Sequence, residues 1–499
     1  MNAFIDARTV PSGTILEPDL AIIGGGPVGI SLALALADTP IRVVLLESGG
    51  MNFDSKTQNL YEGTRVGAPY LTLVGSRLRF LGGSTNHWGG WCRPLDAIDF
   101  EKRNWVPYSG WPFGLKEIAR YFPRAQSLCE AGPLIYDKAD KLTGDMGAEI
   151  ALGDGGVGTH WFQFSKMRDS VLPTHFGERY SDDLKRIKRL SVYLHANVTG
   201  LRLSSDAAKL DRIDVRTFNG KHITVKPKIA VLGAGAIESA RILLASNDVM
   251  TAGVGNANDL VGRFFADHPI PRDTATLVLF GGPAAPYYTE TQTIRDTEMR
   301  AGLFPSEEFR RTRQVLGSST TIENKVDLDD LGKAALAATA SAYGIAASNA
   351  QAYSLGCGME IEPDPDRRLT LDSERDALGM PRLKLHMRIA DSDFARFRET
   401  LKELGRQLLA AKSGLLRLNL KTRTEWLDGL DWGNHHMGTT RMHVDPKQGV
   451  VDANSLVHGI GNLYVAGSSV FPTYGASNPT MNLIALTLRL ADHLKGQWR

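Results

Sequence analysis

Three glycines spaced as Gly24-x-Gly26-x-x-Gly29, with an acid at Glu47, are the first residues whose types and spacing could do chemistry. That chemistry is the holding of a dinucleotide. Gly24 allows a tight turn, Gly26 lets the backbone approach a pyrophosphate at a helix N-terminus, and Gly29 lets helix and strand pack closely. Glu47 is spaced to accept from a ribose hydroxyl, and its charge would repel the 2′-phosphate of NADP. A second set lies in the loop Leu81-Gly-Gly-Ser-Thr-Asn-His-Trp-Gly-Gly90. A glycine-rich surface turn accounts for its glycines but not for the imidazole of His87 among them. Trp88, Trp91, Trp105 and Trp111 follow closely. Aromatic faces can stack on a sugar ring, although a packed core is the better reading for at least two of the four.

The glycine set needs a strand–turn–helix–strand frame before it counts. The sequence supplies one: an apolar strand over Leu20 to Ile23, a helix over Ile30 to Ala37, and a strand over Arg42 to Leu46 ending at Glu47. These residues do not say which dinucleotide binds. Arg77 and Arg79 alternate with Leu78 and Phe80 in a strand-like pattern, within a loop-rich stretch. Pro123 is expected to kink or split a helix over Leu115 to Glu130. From Trp161 to Pro173 the chain reads as irregular, and Asp182 to Arg189 as a charged helix. Lys228 to Leu232, then Gly233-Ala-Gly235 and a helix to Ala245, read as another strand–helix unit of the same sheet.

Between about Pro269 and Arg423 short alternating segments predict an antiparallel sheet, with helices near 329–350 and 391–413. α/β character then returns. His435 and His436 stand in an Asn-His-His-Met-Gly-Thr-Thr-Arg-Met run, and a strand over Leu463 to Val465 leads to Ala466-Gly467-Ser468-Ser469. Asn478 precedes Pro479 and a helix to about Lys495, the positions of an N-cap and a first helical residue.

Composition bounds the answer. The chain has 499 residues, 42% hydrophobic and 22% charged, enough for two or more soluble domains. A net charge of +2 implies no nucleic-acid partner. No stretch reaches the ~18 apolar residues of a membrane span, and no secretory signal is read at the N-terminus. The three cysteines, Cys92, Cys129 and Cys357, form no paired motif, no metal site and no four-thiolate cluster. They fit a reducing cytoplasm, though a chain exported with a partner subunit would look the same.

Taken together these separated motifs resemble the glucose–methanol–choline (GMC) flavin oxidoreductases. The resemblance covers the N-terminal 100 residues, the stretch around 190–270 and the C-terminal 75. It rests on ESGG at Glu47 to Gly50, LGGSTNHWGG at 81–90, HANVTGL at 195–201, GAGAIESARILLAS at 233–246, VGRFFADHP at 261–269, HHMGTTRM and ASNPTM. One departure is Glu238-Ser239-Ala240, where the family has Ser-Pro. The resemblance implies a discontinuous, Rossmann-like FAD-binding α/β domain over 1–100, 186–268 and 425–499. An α+β substrate domain with an antiparallel sheet would take 101–185 and 269–424.

FAD would lie against Gly24, Gly26, Pro27, Val28, Gly29, Glu47, Ser48 and Arg79. Other contacts would come from Gly82, Gly83, Ser84, Asn86, His87, Trp88, Gly89 and Gly90, from Val198 at the adenine, and from Gly233, Ala234, Gly467, Ser468, Asn478 and Thr480. Some relatives bond FAD covalently through a histidine at the place of His87; attachment without that bond is favoured here. His435, third before Gly438, takes the family's catalytic-base position, and Asn478 the second catalytic position. His436 is read as a packed or surface residue.

The implied reaction passes an alcohol C–H hydride to flavin N5 while His435 removes the hydroxyl proton and Asn478 orients the oxygen. The His–Asn pair is similar to that of the pyranose- and glycoside-oxidising branch and of choline-oxidising members. The expected substrate is therefore a secondary hydroxyl of a sugar or glycoside. An amino-cyclitol, aminoglycoside or other non-sugar alcohol is the first alternative, and a lyase with structural FAD the second. Oxygen or a quinone-type carrier would be the acceptor, and a small partner subunit stays open.

Overall fold

The computed structural model describes residues 4–136, 146–168, 173–419 and 421–498. Its frame is a six-stranded sheet in the order Phe4–Asp6, Leu190–Leu194, Val43–Leu46, Leu20–Ile23, Ile229–Leu232 and Leu463–Val465. Every neighbouring pair is parallel. Leu20–Ile23 and Val43–Leu46 are buried on both faces, which is why they read as unbroken apolar runs rather than alternating ones. The helix Pro27–Ala35 follows the glycine turn, with Pro27 in its first turn. A Cβ on Gly29 would sit 2.0 Å from the Gly24 carbonyl oxygen, so only glycine lets this helix lie so close to the turn.

A second large sheet runs in the order Gly414–Leu418, Ala275–Leu279, Gln351–Met359, Ser318–Lys325, Thr297–Pro305, Val157–Phe164 and Trp91–Cys92, with Gln292–Ile294 also on Thr297–Pro305. All its pairings are antiparallel. Val157–Phe164 corrects the irregular reading from Trp161; residues 169–172 of that stretch lie outside the described residues. Its first half is polar and partly exposed, so periodicity gave no strand signal. The charged helix begins earlier than expected, at Phe176, and ends at Arg186. The helix near residue 115 is split, as Leu115–Ala119 and Phe122–Leu128, with Pro123 in the first turn of the second piece.

Arg77 and Arg79 lie in a bent segment, not a strand. Both guanidiniums are buried and reach Glu238, Arg77 at 3.4 Å and Arg79 at 3.1 Å. The alternation thus reflects two buried charges with a common partner.

A small ladder matters more than its size. Pro269–Pro271 pairs antiparallel with Leu430–Trp432, and an isolated bridge joins Ala266 to Met437. This register sets His268 beside His435. Among the described residues no helix is long and apolar enough to cross a membrane.

Candidate active site

The two sheets share a cavity of about 640 Å³, within the range of small-molecule and cofactor sites. Its wall contains Gly24, Gly26, Pro27, Val28, Glu47, Ser48, Arg79, Gly83, Ser84, His87, Trp88, Gly89, Gly90, Val198, Gly233, Ala234, His435, Gly467, Ser468, Asn478 and Thr480. Three expected residues lie outside the wall. Gly29 packs beneath the glycine turn. Gly82, at φ +99°, would drive a Cβ to 2.7 Å from the Gly177 nitrogen, and Asn86 donates its amide to the Leu81 carbonyl at 3.0 Å. These two shape the loop from behind. Of the clustered tryptophans, Trp88 and Trp91 face the cavity, whereas Trp111 packs on Phe100 and Phe471.

Three helices begin at this wall: Pro27–Ala35, Ala236–Ala245 and Pro479–Gln497. None has a side-chain cap, so their first N–H groups stay open on the side where the macrodipole favours negative charge. The backbones of Gly26 and Gly83 meet across one end, a Cβ on Gly83 lying 3.2 Å from the Gly26 Cα. Glu47 is already engaged there: its carboxylate accepts from the Gly25 nitrogen at 2.8 Å and the Gly49 nitrogen at 2.7 Å. These bonds fix its orientation against the turn. Three buried polar atoms of wall residues, Arg79 Nε, Trp432 Nε1 and His436 Nε2, have no hydrogen-bond partner among the described residues. His436 lines the cavity wall with its ring packed 5.8 Å from that of Phe265 and 6.4 Å from that of Tyr70. An elongated anionic ligand with further polar groups fits such a wall, and FAD has that chemistry.

At the other end His435 is held from several sides. Its backbone nitrogen donates to Asp267 Oδ1 at 2.7 Å, an oxygen that also accepts from the His268 nitrogen at 2.7 Å. Tyr70 donates its hydroxyl to Asp267 Oδ2 at 2.6 Å. Burial pushes the Asp267 carboxyl up to about 7 against these bonds, which favour its charged form. The imidazole packs over Gly433, where a Cβ would lie 2.6 Å from its Nδ1.

The hydrogen bonds around the two rings dictate their tautomers. His268 Nε2 lies 2.8 Å from the Gly475 carbonyl oxygen, which can only accept, so this nitrogen carries a proton. Burial lowers His268 to about 4, which leaves the ring neutral and its Nδ1 unprotonated. His435 Nδ1, 2.9 Å away, must then donate. Burial first, then the neighbouring His268 and His436, hold His435 well below its ordinary value, so it too is neutral. Its unprotonated Nε2 accepts from Asn478 Nδ2 at 3.2 Å.

Asn478 stands at the N-cap of its helix but makes no capping bond. The expected N-cap is thus correct in position and not in side chain, which turns to His435 instead. Neighbouring residues anchor the helix start: Ser477 donates to the Pro94 carbonyl at 2.8 Å, and Asn482 donates to that of Arg93 at 2.9 Å.

Sequence reasoning missed Asp267 and His268. Their signal was the pair of polar residues closing the run Val261-Gly-Arg-Phe-Phe-Ala, but their task depends on a pairing with residues far along the chain. Among the described residues no group of three or more His, Cys, Asp or Glu is gathered for a metal ion.

Residues 363–487 match the model of the GMC oxidoreductases. Over this C-terminal quarter the chain is similar to that family, and with the relatives below this supports an enzyme acting on CH–OH groups. 2-Methyl-1,2-propanediol dehydrogenase of Mycolicibacterium austroafricanum is 23% identical, over 96% of this chain and 95% of that protein. C-glycoside 3-oxidase of Microbacterium trichothecenolyticum is 33% identical, but over only 28% of this chain and 26% of its own. Among solved structures, pyridoxine 4-oxidase from Mesorbium loti superposes with a TM-score of 0.56 at 19% identity, covering 96% of this chain and 99% of that one. That likeness is one of fold, a mixed α/β architecture with several sheets.

Proposed function

We propose that this oxidoreductase binds FAD in the cavity and oxidises an alcohol, with a secondary hydroxyl of a sugar or glycoside as the favoured substrate and His435 as the base. The observation that carries the reading is the run from Gly475 through His268 and His435 to Asn478, which leaves one unprotonated imidazole nitrogen at the cavity wall. In this reading residues 1–100, 186–268 and 425–499 form the Rossmann-like cofactor domain, and 101–185 with 269–424 the substrate domain. The glycine turn with Pro27 and Val28 holds the diphosphate, Glu47 and Ser48 the ribose, and Val198 the adenine. His87 and Trp88 stand beside the ring system without a covalent bond.

The chemistry that FAD supplies when bound is acceptance of the alcohol's C–H hydride at flavin N5. The rest falls to this chain. A substrate hydroxyl takes the place of the direct His435–Asn478 hydrogen bond, donating to His435 Nε2 and accepting from Asn478 Nδ2. His435 takes the proton as the carbon is oxidised, and its Nδ1–H, held by neutral His268, keeps the ring in the one tautomer that can do so. The helix starting at Pro479 turns its positive end to the cavity and favours negative charge there.

Anaerobic addition of sugars, glycosides and cyclitols to the FAD-loaded protein tests the reading. Bleaching of the flavin band is expected with at least one of them. Substrate consumed with the flavin still oxidised would make the protein a lyase, and no change across the panel would remove the proposal. Reoxidation by air or by a quinone then distinguishes an oxidase from a dehydrogenase.

A pH dependence follows with a definite sign. His435 is depressed below 6.5 and must be neutral to accept a proton. Flavin reduction at saturating alcohol is expected to be level above that pH and to fall only toward acid. A limb still rising above neutrality in stopped-flow traces would mean a different base.

A further inference from the structure

The end of the cavity away from the glycine turn is formed by one face of the antiparallel sheet. On Ser318–Lys325 the residues alternate: Ser319, Thr321 and Glu323 line the cavity, while Thr320 and Ile322 are buried on the other face. The neighbouring strand sets glycines opposite, Gly358 across from Ser319 and Gly356 across from Thr321. A Cβ on Gly356 would lie 2.6 Å from Glu323 Oε1 and 2.7 Å from Thr321 Oγ1, so these polar groups lean over a track that only glycine leaves open. Arg300, from the strand on the other side, reaches Glu323 at 3.2 Å and also donates to the Ile322 carbonyl at 2.7 Å. Trp91 and Phe162 close this end with their rings 4.8 Å apart.

We infer that this polar strip is the recognition wall for the substrate, and that it takes a neutral polyhydroxylated ring rather than a cationic amino-cyclitol. The inference rests on the proposed alcohol oxidation for the reaction, but not for the binding. Carboxylate, guanidinium and two hydroxyls side by side supply both acceptors and donors for ring hydroxyls, and the aromatic rings offer an apolar face. Charge decides the class. Among the described residues Glu323 is the only carboxylate of this end of the wall, and Arg300 is paired with it. The other carboxylates lining the cavity are Glu47, bound to backbone N–H groups at the glycine turn, and Glu238, paired with Arg77, Arg79 and Arg241. Among the described residues an ammonium group would find no unpaired carboxylate here.

The test measures binding and turnover together on the FAD-loaded protein. Methyl β-D-glucoside and D-glucose serve as neutral probes, D-glucosamine and 2-deoxystreptamine as cationic ones, and 1-propanol as a monoalcohol. Calorimetric affinity is expected to favour the neutral rings. Glu323→Gln should weaken neutral-ring binding by about 10- to 100-fold, and lower the ratio of kcat/KM for glucoside over 1-propanol by a similar factor. Arg300→Met releases the carboxylate and should raise the D-glucosamine to D-glucose affinity ratio by about tenfold. If Arg300→Met fails to fold, the Glu323→Gln arm stands alone.

Tighter binding of the cationic probes by the unmodified protein would overturn the inference. So would an equal loss on glucoside and 1-propanol, or no loss at all. Glucoside binding that depends on Glu323 without any flavin bleaching would uphold the wall and sink the proposed reaction. Bleaching by 1-propanol with no Glu323-dependent ring binding would do the reverse.

Discussion

Replacing His435 with alanine is expected to slow flavin reduction by about 10²- to 10⁴-fold while FAD stays bound. The size follows from what is removed. The bonds around His435 leave its Nε2 unprotonated at the cavity wall, where it can accept the hydroxyl proton. FAD retention follows because the open helix N-termini and the Gly26–Gly83 approach belong to other segments. Rapid-mixing spectroscopy under anaerobic conditions measures both. Unchanged reduction would remove His435 from the role. Asn478→Ala serves as the companion measurement. Asn478 makes no capping bond, so its loss should lower the reduction rate and leave Tm nearly unchanged. A fall in Tm with full turnover would return it to a structural role.

The second large effect is on stability. Glu238 is buried in the first turn of its helix, among Arg77, Arg79 and Arg241. Burial alone would raise its carboxyl, but Arg241, Arg79 and Arg77 outweigh this and hold it at about 2, down from 4.5. Arg241 is also paired with Asp376 at 2.7 Å, so the cluster carries three guanidiniums and two carboxylates. Glu238→Ala leaves Arg77 and Arg79 buried with no acid between them. A loss of about 3–5 kcal/mol in chemical denaturation is expected, the cost of breaking a buried ion pair from one side. The pH dependence has a fixed sign. A depressed carboxyl gives its stability above its unfolded value near 4.5 and loses it as pH falls toward 2. The acid unfolding of the variant should therefore be shallower than that of the parent. Equal stability of the two proteins would show that the cluster is loosely solvated.

What could be read beforehand divides along physical lines. The glycine turn, its strands and the second strand–helix unit were legible because each is a local pattern, with buried strands as apolar runs and glycines where the backbone must crowd. His435 and Asn478 were picked out through motif resemblance, and they meet at 3.2 Å on the cavity wall. His268 was not. Its position beside His435 comes from the register between Pro269–Pro271 and Leu430–Trp432, and no local periodicity encodes a pairing across so much chain. Arg77 and Arg79 misled for a related reason. Alternation signals a strand when one face meets solvent, and here both side chains turn inward to a carboxylate from another element. Val157–Phe164 was missed because its partners, Thr297–Pro305 and Trp91–Cys92, supply the reason for its extension.

The cavity draws its two ends from separate sheets. Among the described residues no hydrogen bond joins Ser319, Thr321 or Glu323 to His268, His435 or Asn478. With the strip Ser319-Thr321-Glu323 as the proposed recognition wall, drift along it can change which molecule is admitted without retuning the imidazole pair. A lineage built this way can try new substrates one substitution at a time and keep its chemistry intact.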